Sequence, residues 1–476
     1  MNRYLAAALS AATLLFAFTL ASCGSGNSTL APLNAGNINL IFVVSQDLPF
    51  HGAGEVSPTT GNLTGRGLRR TLLTAGFLKD NVLGGQNATS IYALEPMTHL
   101  QTSNNYPDMT ALAAIQQFAM LNQTSITGEG SGHSFPVFAS YTDASKPRDV
   151  PAPVFPCPEC QGLDFDDSNG ENETLVTSII QANVPGFYVF SAPWETMSAL
   201  MTNINQLQGY HLDLPATYNG PGYIYAISIK SSGKAALVAY NTRFDPPSSY
   251  PPLPAGYIRS AACTGIYSQQ VVGGVGGAVV PANANTNETV YMVRHAEAHP
   301  TSSWDDGNYI GTGQWRALDL PYALEGKIRP TEVWAADSSI AIPGGDGSIP
   351  SSYVRPSMTV LPYAIANDLP FNLAATVPLF AEVPPAPAPE ASAFFFTGDK
   401  FTNKTILVGW EHKHIPSTVN ALLASYGVAQ NAPDWSDADY DSIWKITLDA
   451  HGNLNIDNQA CEGIDTSGVP PTAPIF

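Results

Sequence analysis

The sequence predicts an α/β protein in which one unit, with a mostly parallel sheet, occurs twice in tandem. Short β-branched or aromatic runs alternate with helix-like segments, which is the order of βαβ units. The chain has 476 residues, and a prior of roughly 150 residues per domain suggests two or three domains. Hydrophobic residues make up 44% and charged residues 12%. The chain can therefore bury a sizeable core, and a charge-rich disordered protein is excluded.

Internal similarity is the main observation behind the two tandem copies. Four segments recur in the same order: 40–47 with 290–297, 106–110 with 355–359, 186–200 with 405–419, and 224–233 with 443–452. Any two α/β halves would show alternating apolar strands, but the matched end residues and the steady spacing favour duplication. The first copy is longer because of an insert at about 146–175, rich in Pro, Asp and Asn, which we expect to be irregular surface structure.

The repeat also sets the expected domain boundaries. The sequence divides into a first copy at 37–245, a linker at 246–286, a second copy at 287–456 and a C-terminal tail at 457–476. The linker contains the glycine-rich run GGVGG. This run lacks the preceding strand and following helix of a phosphate loop, so we interpret it as linker.

The second copy illustrates the expected order of elements after its first strand. We predict a helix at 313–326, a strand at 331–337, a helix at 358–367, a strand at 405–410, a helix from Ser417 and a strand at 441–449.

The N-terminus and the charge point to an exported protein that does not bind nucleic acid. Residues 1–22 have one cation and an apolar run, which is typical of a secretory signal. The segment ends Leu-Ala-Ser and is followed by Cys23, a pattern that resembles the lipobox of bacterial lipoproteins and implies acylation of Cys23 and a tether at 23–36. Ordinary signal cleavage is the alternative. We expect anchoring on the periplasmic face or the cell surface, with the outer membrane favoured. The net charge of −19 disfavours contact with phosphate backbones.

Four cysteines follow the signal, and an even number in an exported chain suggests disulfides. Cys157 and Cys160 form one CxxC with no second pair nearby, so we favour a local bridge over a zinc site. Cys263 and Cys461 are further candidates whose pairing the sequence leaves open.

Candidate chemistry lies at the predicted strand ends of the second copy. Arg294 and His295 end its first strand, and His412 follows the strand at 405–410. Arg355 opens a helix in the pattern Arg-x-x-x-Thr-x-x-Pro. In parallel α/β sheets ligands bind beyond the carboxyl ends of the strands. Two guanidiniums and two imidazoles at that edge suit a tetrahedral dianion. The paired N–H donors of an arginine guanidinium fit phosphate oxygens, and a neutral histidine can attack phosphorus.

The residues YMVRHAEA, GQWRA, RPSMTVLP and the later histidine together resemble the histidine phosphatase superfamily, the phosphoglycerate mutase-like group. The resemblance covers about 287–450, with a degenerate form at about 37–240. It implies two tandem phosphoglycerate mutase-like domains, each a three-layer α/β/α sandwich. It also implies that His295 forms a phosphohistidine, with Nδ1 held by a backbone carbonyl, and that Arg294, Arg355 and His412 bind the phosphate. No metal and no other cofactor is expected.

The sequence departs from the family pattern at three points. Ala296 stands where glycine is common. WEHKHIP offers both His412 and His414 as the second histidine, and we prefer His412 because it is nearest the strand end. The general acid stays open, with Glu297 and Glu411 as candidates for substrate contact along with His414.

The first copy lacks these groups. The alignment places Val44, Ser45 and Asp47 at the positions of Arg294, His295 and Glu297, and Tyr106 at that of Arg355. It also places Pro193 at the position of His412 and Glu195 at that of His414. We therefore expect a first copy without catalytic activity.

The functional prediction is an exported, lipid-anchored phosphomonoester hydrolase that acts on a small phosphorylated substrate. The alternative is a non-catalytic binding or scaffold lipoprotein on the same fold, since fold alone does not establish activity. Substrate identity and oligomeric state stay open.

Overall fold

The structure is a computed structural model, and it describes the two regions of the chain that carry the predicted repeats. The described residues are 30–96, 99, 101–102, 104, 106–122, 137–139, 162–165, 167, 170–254, 263, 278–298, 307–338, 341–342, 351–374, 377 and 388–476. The predicted signal segment, the acyl acceptor Cys23 and the CxxC cysteines Cys157 and Cys160 lie outside these residues. Below, residues 30–254 are called the N-terminal half and residues 278–476 the C-terminal half.

Strands and helices alternate through most of both halves. The N-terminal half contains β1 (Ile38–Val44), α1 (Gly65–Phe77), β2 (Ser90–Ala93), α2 (Thr110–Leu121), β3 (Val137–Ala139), α3 (Glu171–Ala182), β4 (Gly186–Ala192), α4 (Trp194–Leu207), β5 (Tyr223–Ile229) and β6 (Ala235–Asn241). A π-helical turn, Leu78–Val82, continues α1.

The C-terminal half repeats this alternation with two additional short strands. It contains β7 (Glu288–Arg294), α5 (Gly311–Ala323), β8 (Glu332–Ala335), β9 (Ala341–Ile342), β10 (Ser351–Ser352), α6 (Arg355–Asn367), β11 (Phe371–Leu373), α7 (Ala388–Phe396), β12 (Thr405–Trp410), α8 (His414–Ser425), β13 (Ser442–Leu448) and β14 (Leu454–Cys461). The predicted strand at 405–410 is confirmed residue for residue, whereas α6 and α8 each begin three residues earlier than predicted.

The two halves have six-stranded sheets with the same strand order. The order is β3-β2-β4-β1-β5-β6 in one sheet and β11-β8-β12-β7-β13-β14 in the other. The first four strands of each order pair in parallel, as predicted. The last two pair antiparallel, which the sequence pattern did not reveal.

Each sheet lies between two layers of helices because its strands bury both faces. β1 reads INLIFVV and is buried throughout, as a strand covered on both sides must be. Ile41 and Val43 pack towards α1 and α2, whereas Leu40 and Phe42 pack towards α3 and α4. In the C-terminal half the strand residues alternate in the same way, so that α5 and α6 cover one face of the sheet and α7 and α8 cover the other. The expected three-layer α/β/α arrangement is therefore present in both halves.

The two halves share one hydrophobic core. A single cluster joins Leu72 and Leu112 of the N-terminal half to Leu318, Met358 and Leu361 of the C-terminal half. The helices in contact across it are α1 with α6 and α2 with α5. Polar groups inside this contact are paired, as buried polar groups must be.

The described residues of the segments predicted as linker and tail pack against the rest of the fold. Strand β14 extends past the predicted domain end at 456, because it continues to Cys461 and pairs with β13. Cys461 forms a disulfide with Cys263, with the two Cα atoms 5.6 Å apart. The pairing that the sequence left open thus ties the predicted linker to the predicted tail. In the described part of the chain, no helix combines the length and apolarity needed to cross a bilayer.

Candidate active site

The four predicted site residues lie at the carboxyl ends of β7 and β12 and at the start of α6. β7 and β12 are parallel neighbours whose last residues, Arg294 and Trp410, pair with each other. The backbone N–H of His295 continues the ladder by donating to the carbonyl of Trp410 at 3.0 Å. Arg294, His295, Arg355 and His412 are all buried. The rings of His295 and His412 face each other edge to face, with centroids 6.4 Å apart.

A close backbone approach sets the position of α6 against this edge. A Cβ atom on Gly409 would lie 2.7 Å from the carbonyl oxygen of Pro356, so only glycine lets β12 and the first turn of α6 come this near. Arg355 is the first residue of that helix, where the helix dipole favours an anion. Its guanidinium carbon lies 4.8 Å from the centre of the Tyr353 ring.

His295 has the geometry of a nucleophile with a fixed tautomer. Its Nδ1 donates to the carbonyl oxygen of Ala296 at 2.8 Å, which leaves the lone pair on Nε2. This is the contact that the family resemblance implied. Burial, followed by the charges of Arg355 and Arg294, holds the pKa of His295 well below its usual value. The imidazole is therefore neutral at physiological pH.

Arg294 is held by a loop that sequence reasoning did not single out. Its Nη1 donates to the backbone carbonyls of Asp437 at 2.7 Å, Asp439 at 3.0 Å and Ser436 at 3.4 Å. Its guanidinium carbon lies 3.8 Å from the centre of the Tyr440 ring. Among the described residues, nothing accepts a hydrogen bond from its buried Nε. The loop therefore fixes one side of the guanidinium and leaves a donor for a ligand.

A second missed residue, Thr359, joins the two elements that carry the cations. Its Oγ1 donates to the carbonyl of Arg355 at 2.7 Å and accepts from the N–H of Ala296 at 2.8 Å. The threonine of the pattern Arg-x-x-x-Thr-x-x-Pro was a visible signal for this contact. One buried hydroxyl thus sets the distance between the end of β7 and the start of α6.

Glu411 is a buried carboxylate between the two alternative histidines. Its Oε2 accepts from the backbone N–H groups of Lys413 and His414 and lies 2.7 Å from His414 Nδ1. Its Oε1 lies 2.5 Å from His412 Nδ1, although the angles are not those of a hydrogen bond. Burial raises the pKa of Glu411, but the close contact with His412, the hydrogen bond from His414 and the charges of both imidazoles outweigh this and hold it well below its usual value. Glu411 is thus an anchored anion rather than a proton donor.

This arrangement separates the two histidines that the sequence left as alternatives. Ligand atoms of His295, Glu411 and His412 lie within 4.8 Å of one another, so His412 faces the nucleophile. Its Nε2 lies 2.8 Å from Oδ1 of Asp437, at the mouth of the site. His414 instead begins α8 and is tied to Glu411. The geometry favours His412 as the second site histidine.

The same three residues also form a set that a metal ion could occupy. Two imidazoles and one carboxylate are ligands suited to zinc and other transition metals. The charges of Arg294 and Arg355, which lower the pKa of His295, oppose a cation at this position. The electrostatics therefore suit an anion better than a metal.

The carboxylate of Glu297, a candidate for substrate contact, is bound by Arg316 and Thr466. Arg316 of α5 donates through Nε to both carboxylate oxygens, at 2.9 and 3.0 Å, and Thr466 donates to Oε1 at 2.7 Å. Arg316 also reaches Glu462 at 2.6 Å and Asp441 at 3.4 Å. Sequence reasoning missed this buried cluster because its members come from four separate segments.

The same edge of the N-terminal half carries different chemistry. Asp47 is buried there, with its Oδ1 3.1 Å from His51 Nδ1. His99 lies 2.9 Å from Asp108. This edge thus carries carboxylates paired with imidazoles, and the sequence alignment places Val44 and Tyr106 at the positions of the two arginines.

The sheet registers also correct one detail of the alignment between the halves. Val44 pairs with Ala192, and Arg294 pairs with Trp410. If Val44 is equated with Arg294, then Ala192 corresponds to Trp410. This pairing of β4 with β12 is shifted by one residue from the pairing in the sequence alignment. Counted from the strand ends, Pro193 then corresponds to Glu411 and Trp194 to His412. At these described positions the N-terminal half still offers no histidine or arginine.

Similarity to known proteins is found among solved structures and not by sequence. No protein-family model matches the chain, and no curated protein matches it either. Among solved structures, a phosphoglycerate mutase from Plasmodium falciparum is similar, with 13% identity over 38% of this chain and 94% of that chain, and a TM-score of 0.23.

Two further solved structures are phosphatases. The protein histidine phosphatase SixA, complexed with tungstate, has 17% identity over 36% of this chain and 97% of its own, with a TM-score of 0.24. A mycobacterial glucosyl-3-phosphoglycerate phosphatase, in complex with inorganic phosphate, has 11% identity over 37% of this chain and 99% of its own, also with a TM-score of 0.24. The three solved structures named here are thus a phosphoglycerate mutase, a protein histidine phosphatase and a glucosyl-3-phosphoglycerate phosphatase.

Proposed function

We propose that the protein is an exported, lipid-anchored phosphomonoester hydrolase that acts through a phosphohistidine on His295. The observation that carries the proposal is the state of His295. It is a buried, neutral imidazole with a fixed tautomer, near enough to Arg294 and Arg355 for both charges to lower its pKa. A neutral nucleophile beside fixed cations suits attack on a phosphate dianion.

The reaction has two displacements at phosphorus. The lone pair of His295 Nε2 forms a bond to phosphorus while the bond from phosphorus to the leaving oxygen breaks. Water then attacks the phosphohistidine, and the electron pair of the N–P bond returns to Nε2. The leaving oxygen takes up a proton to give the alcohol as first product. The attacking water loses a proton and the second product is inorganic phosphate, so the enzyme ends as it began.

Arg294, Arg355 and His412 bind the phosphate in this proposal. The buried Nε of Arg294, which lacks a partner among the described residues, offers one donor. Arg355 adds a second guanidinium and the N-terminal end of α6. His412 offers Nε2 once the contact with Asp437 opens. These donors lie where charge develops in the transition state, and burial strengthens their effect.

The N-terminal half is proposed to be a degenerate copy of the same domain. The shared strand order of the two sheets supports a tandem duplication of a phosphoglycerate mutase-like unit. The acidic groups at its corresponding edge support a role other than phosphate binding. The full-length His295→Ala variant, which keeps the N-terminal half intact, should accordingly show no residual phosphatase turnover.

Export and acylation of Cys23 rest on the sequence alone. The expected anchor places the enzyme at the periplasmic face or cell surface, with the outer membrane favoured. Metabolic labelling with a fatty acid should mark the wild-type protein and leave Cys23→Ala unlabelled.

The test of the proposed activity is hydrolysis of p-nitrophenyl phosphate by purified protein. His295→Ala should lose turnover by several orders of magnitude. His51→Ala is the matched control, because it removes a buried imidazole of the N-terminal half and should keep wild-type rates. Addition of a chelator should leave the rate unchanged. Equal rates in wild type and His295→Ala would favour the alternative of a non-catalytic binding or scaffold lipoprotein.

A further inference from the structure

The proposed reaction needs a proton for the leaving oxygen, and two of the carboxylates near the motif residues cannot supply it. Both oxygens of Glu297 are bound by Arg316. Glu411 is held as an anion by His412, by His414 and by backbone N–H groups at the start of α8. A general acid must reach the leaving group and be able to change its protonation state.

Asp437 meets both requirements of position and access. Its Oδ1 lies 2.8 Å from Nε2 of His412, the nitrogen that faces a bound phosphate in the proposed function. Its side chain is 80% exposed, so it can exchange protons with water. Its own backbone carbonyl accepts from Arg294 Nη1 at 2.7 Å. The backbone of Asp437 is therefore fixed to the phosphate-binding arginine while the carboxylate stays open to solvent.

Binding of a phosphate ester changes the surroundings of this carboxylate. In the free protein the hydrogen bond from His412, together with the charges of His412, Lys413 and Arg294, holds the pKa of Asp437 below its usual value. A phosphate that takes His412 Nε2 removes the largest of these causes. It also brings a dianion next to the carboxylate, and like charges favour the protonated acid. Substrate binding thus shifts Asp437 towards the form that can donate a proton.

We propose that Asp437 is the general acid and base of the C-terminal site, an inference that rests on the proposed function. In the first displacement the Asp437 carboxyl gives its proton to the leaving oxygen as the P–O bond breaks and the N–P bond to His295 forms. In the second, the Asp437 carboxylate takes a proton from the attacking water as the O–P bond forms and the N–P bond breaks. After one turnover the proton is again on the Asp437 carboxyl and the electron pair is again on Nε2 of His295.

The dependence on the leaving group tests this role. p-Nitrophenolate leaves without protonation, whereas an alkoxide needs a proton. Asp437→Asn should therefore slow hydrolysis of an alkyl phosphate such as glycerol phosphate by about 10²–10⁴-fold, which is the usual contribution of a positioned general acid to the rate. On p-nitrophenyl phosphate its turnover should stay within about tenfold of wild type, since the acid then assists only the attack of water. Asp434→Asn, an exposed acid of the same loop, is the matched control and should leave both rates unchanged.

The outcomes separate the two proposals. Wild-type protein without turnover on p-nitrophenyl phosphate overturns the proposed function, and the role of Asp437 with it. If the wild-type protein is active and Asp437→Asn slows both substrates equally, only the acid role is overturned. A residue that merely positions His412 would affect hydrolysis equally for good and poor leaving groups. An Asp437→Asn variant as fast as wild type on the alkyl ester also overturns the acid role. Because Asp437 is exposed, thermal unfolding of the variant should match wild type and so exclude misfolding.

Discussion

The two facing imidazoles of the C-terminal half differ in their partners, and this difference assigns their chemistry. His295 has a backbone carbonyl on Nδ1, and its Nε2 has no partner among the described residues. His412 lies between two carboxylates, Glu411 at Nδ1 and Asp437 at Nε2. A histidine with a free lone pair suits attack, whereas one flanked by carboxylates suits donation of hydrogen bonds to an anion.

Glu411 is predicted to act by positioning His412 without touching the substrate. Glu411→Gln keeps the shape of the side chain and removes its charge. We expect kcat to fall by roughly ten- to a hundredfold, the scale found for carboxylates that orient metal-bound histidines. Steady-state kinetics on p-nitrophenyl phosphate measures this, with the exposed Glu390→Gln as control.

The depressed pKa of Glu411 adds a pH signature. A carboxyl whose folded pKa lies below its unfolded value stabilises the fold above the unfolded pKa, and this contribution is lost as the pH falls through the folded pKa. Glu411→Gln should therefore be less stable than wild type at neutral pH, and the difference should shrink in acid. A constant difference across the pH range would argue against this account of Glu411.

At the residue scale, the sequence allowed prediction of the groups that follow strands and missed those that depend on tertiary contact. Arg294, His295 and His412 could be predicted because parallel strands end at one edge of a sheet. The ion pair of Glu297 with Arg316 was missed, since Arg316 lies on α5 and nothing in the local sequence shows the pairing. Asp437 lies in a loop without a motif, so only the fold brings it to His412.

Two elements, the end of β7 and the start of α6, hold the cations at a fixed separation. Thr359 joins them through hydrogen bonds to Ala296 and Arg355. The sequence pattern located α6 and its arginine. It did not reveal the antiparallel strands β6 and β14, because each is an edge strand on which no motif of the predicted site lies.

Thr359→Val is expected to loosen this junction. The buried N–H of Ala296 loses its acceptor, which should lower the free energy of unfolding by about 1–3 kcal/mol. The KM for p-nitrophenyl phosphate should rise, because Arg355 is no longer held against the strand end. Urea denaturation and steady-state kinetics measure the two effects.

Thr418→Val is the matched control for this junction. Thr418 is equally buried, on α8, and its hydroxyl has no partner among the described residues. Its replacement should cost little stability and leave KM unchanged. Equal losses in the two variants would contradict the role of the Thr359 contact.

At the scale of the whole molecule, the two halves are joined by an interface with a hydrophobic core and paired polar groups. Gln116 of α2 and Asn308 exchange two hydrogen bonds, at 2.8 and 3.1 Å. Gln314 of α5 donates to Gln117 at 2.6 Å. Sequence reasoning predicted two copies and left their contact open, because the pairing of glutamines across helices leaves no periodic signal.

Gln116→Leu should therefore destabilise both halves together. It leaves the buried amide of Asn308 without its reciprocal partner, at a cost of about 1–3 kcal/mol. We expect a single urea transition shifted to lower concentration, because one hydrophobic cluster spans both halves. The exposed Gln206→Leu on α4 is the control and should not shift it. Two separate transitions, with only one displaced, would contradict a shared core.

The central claim is a covalent bond between phosphorus and Nε2 of His295. It is tested most directly by rapid quenching of the protein during turnover of p-nitrophenyl phosphate, followed by mass spectrometry under conditions that preserve phosphohistidine. The account predicts phosphate on the peptide that contains His295, and none in the His295→Asn variant, which should also lack turnover. Wild-type rates in His295→Asn, or phosphate on a different residue during turnover, would contradict it.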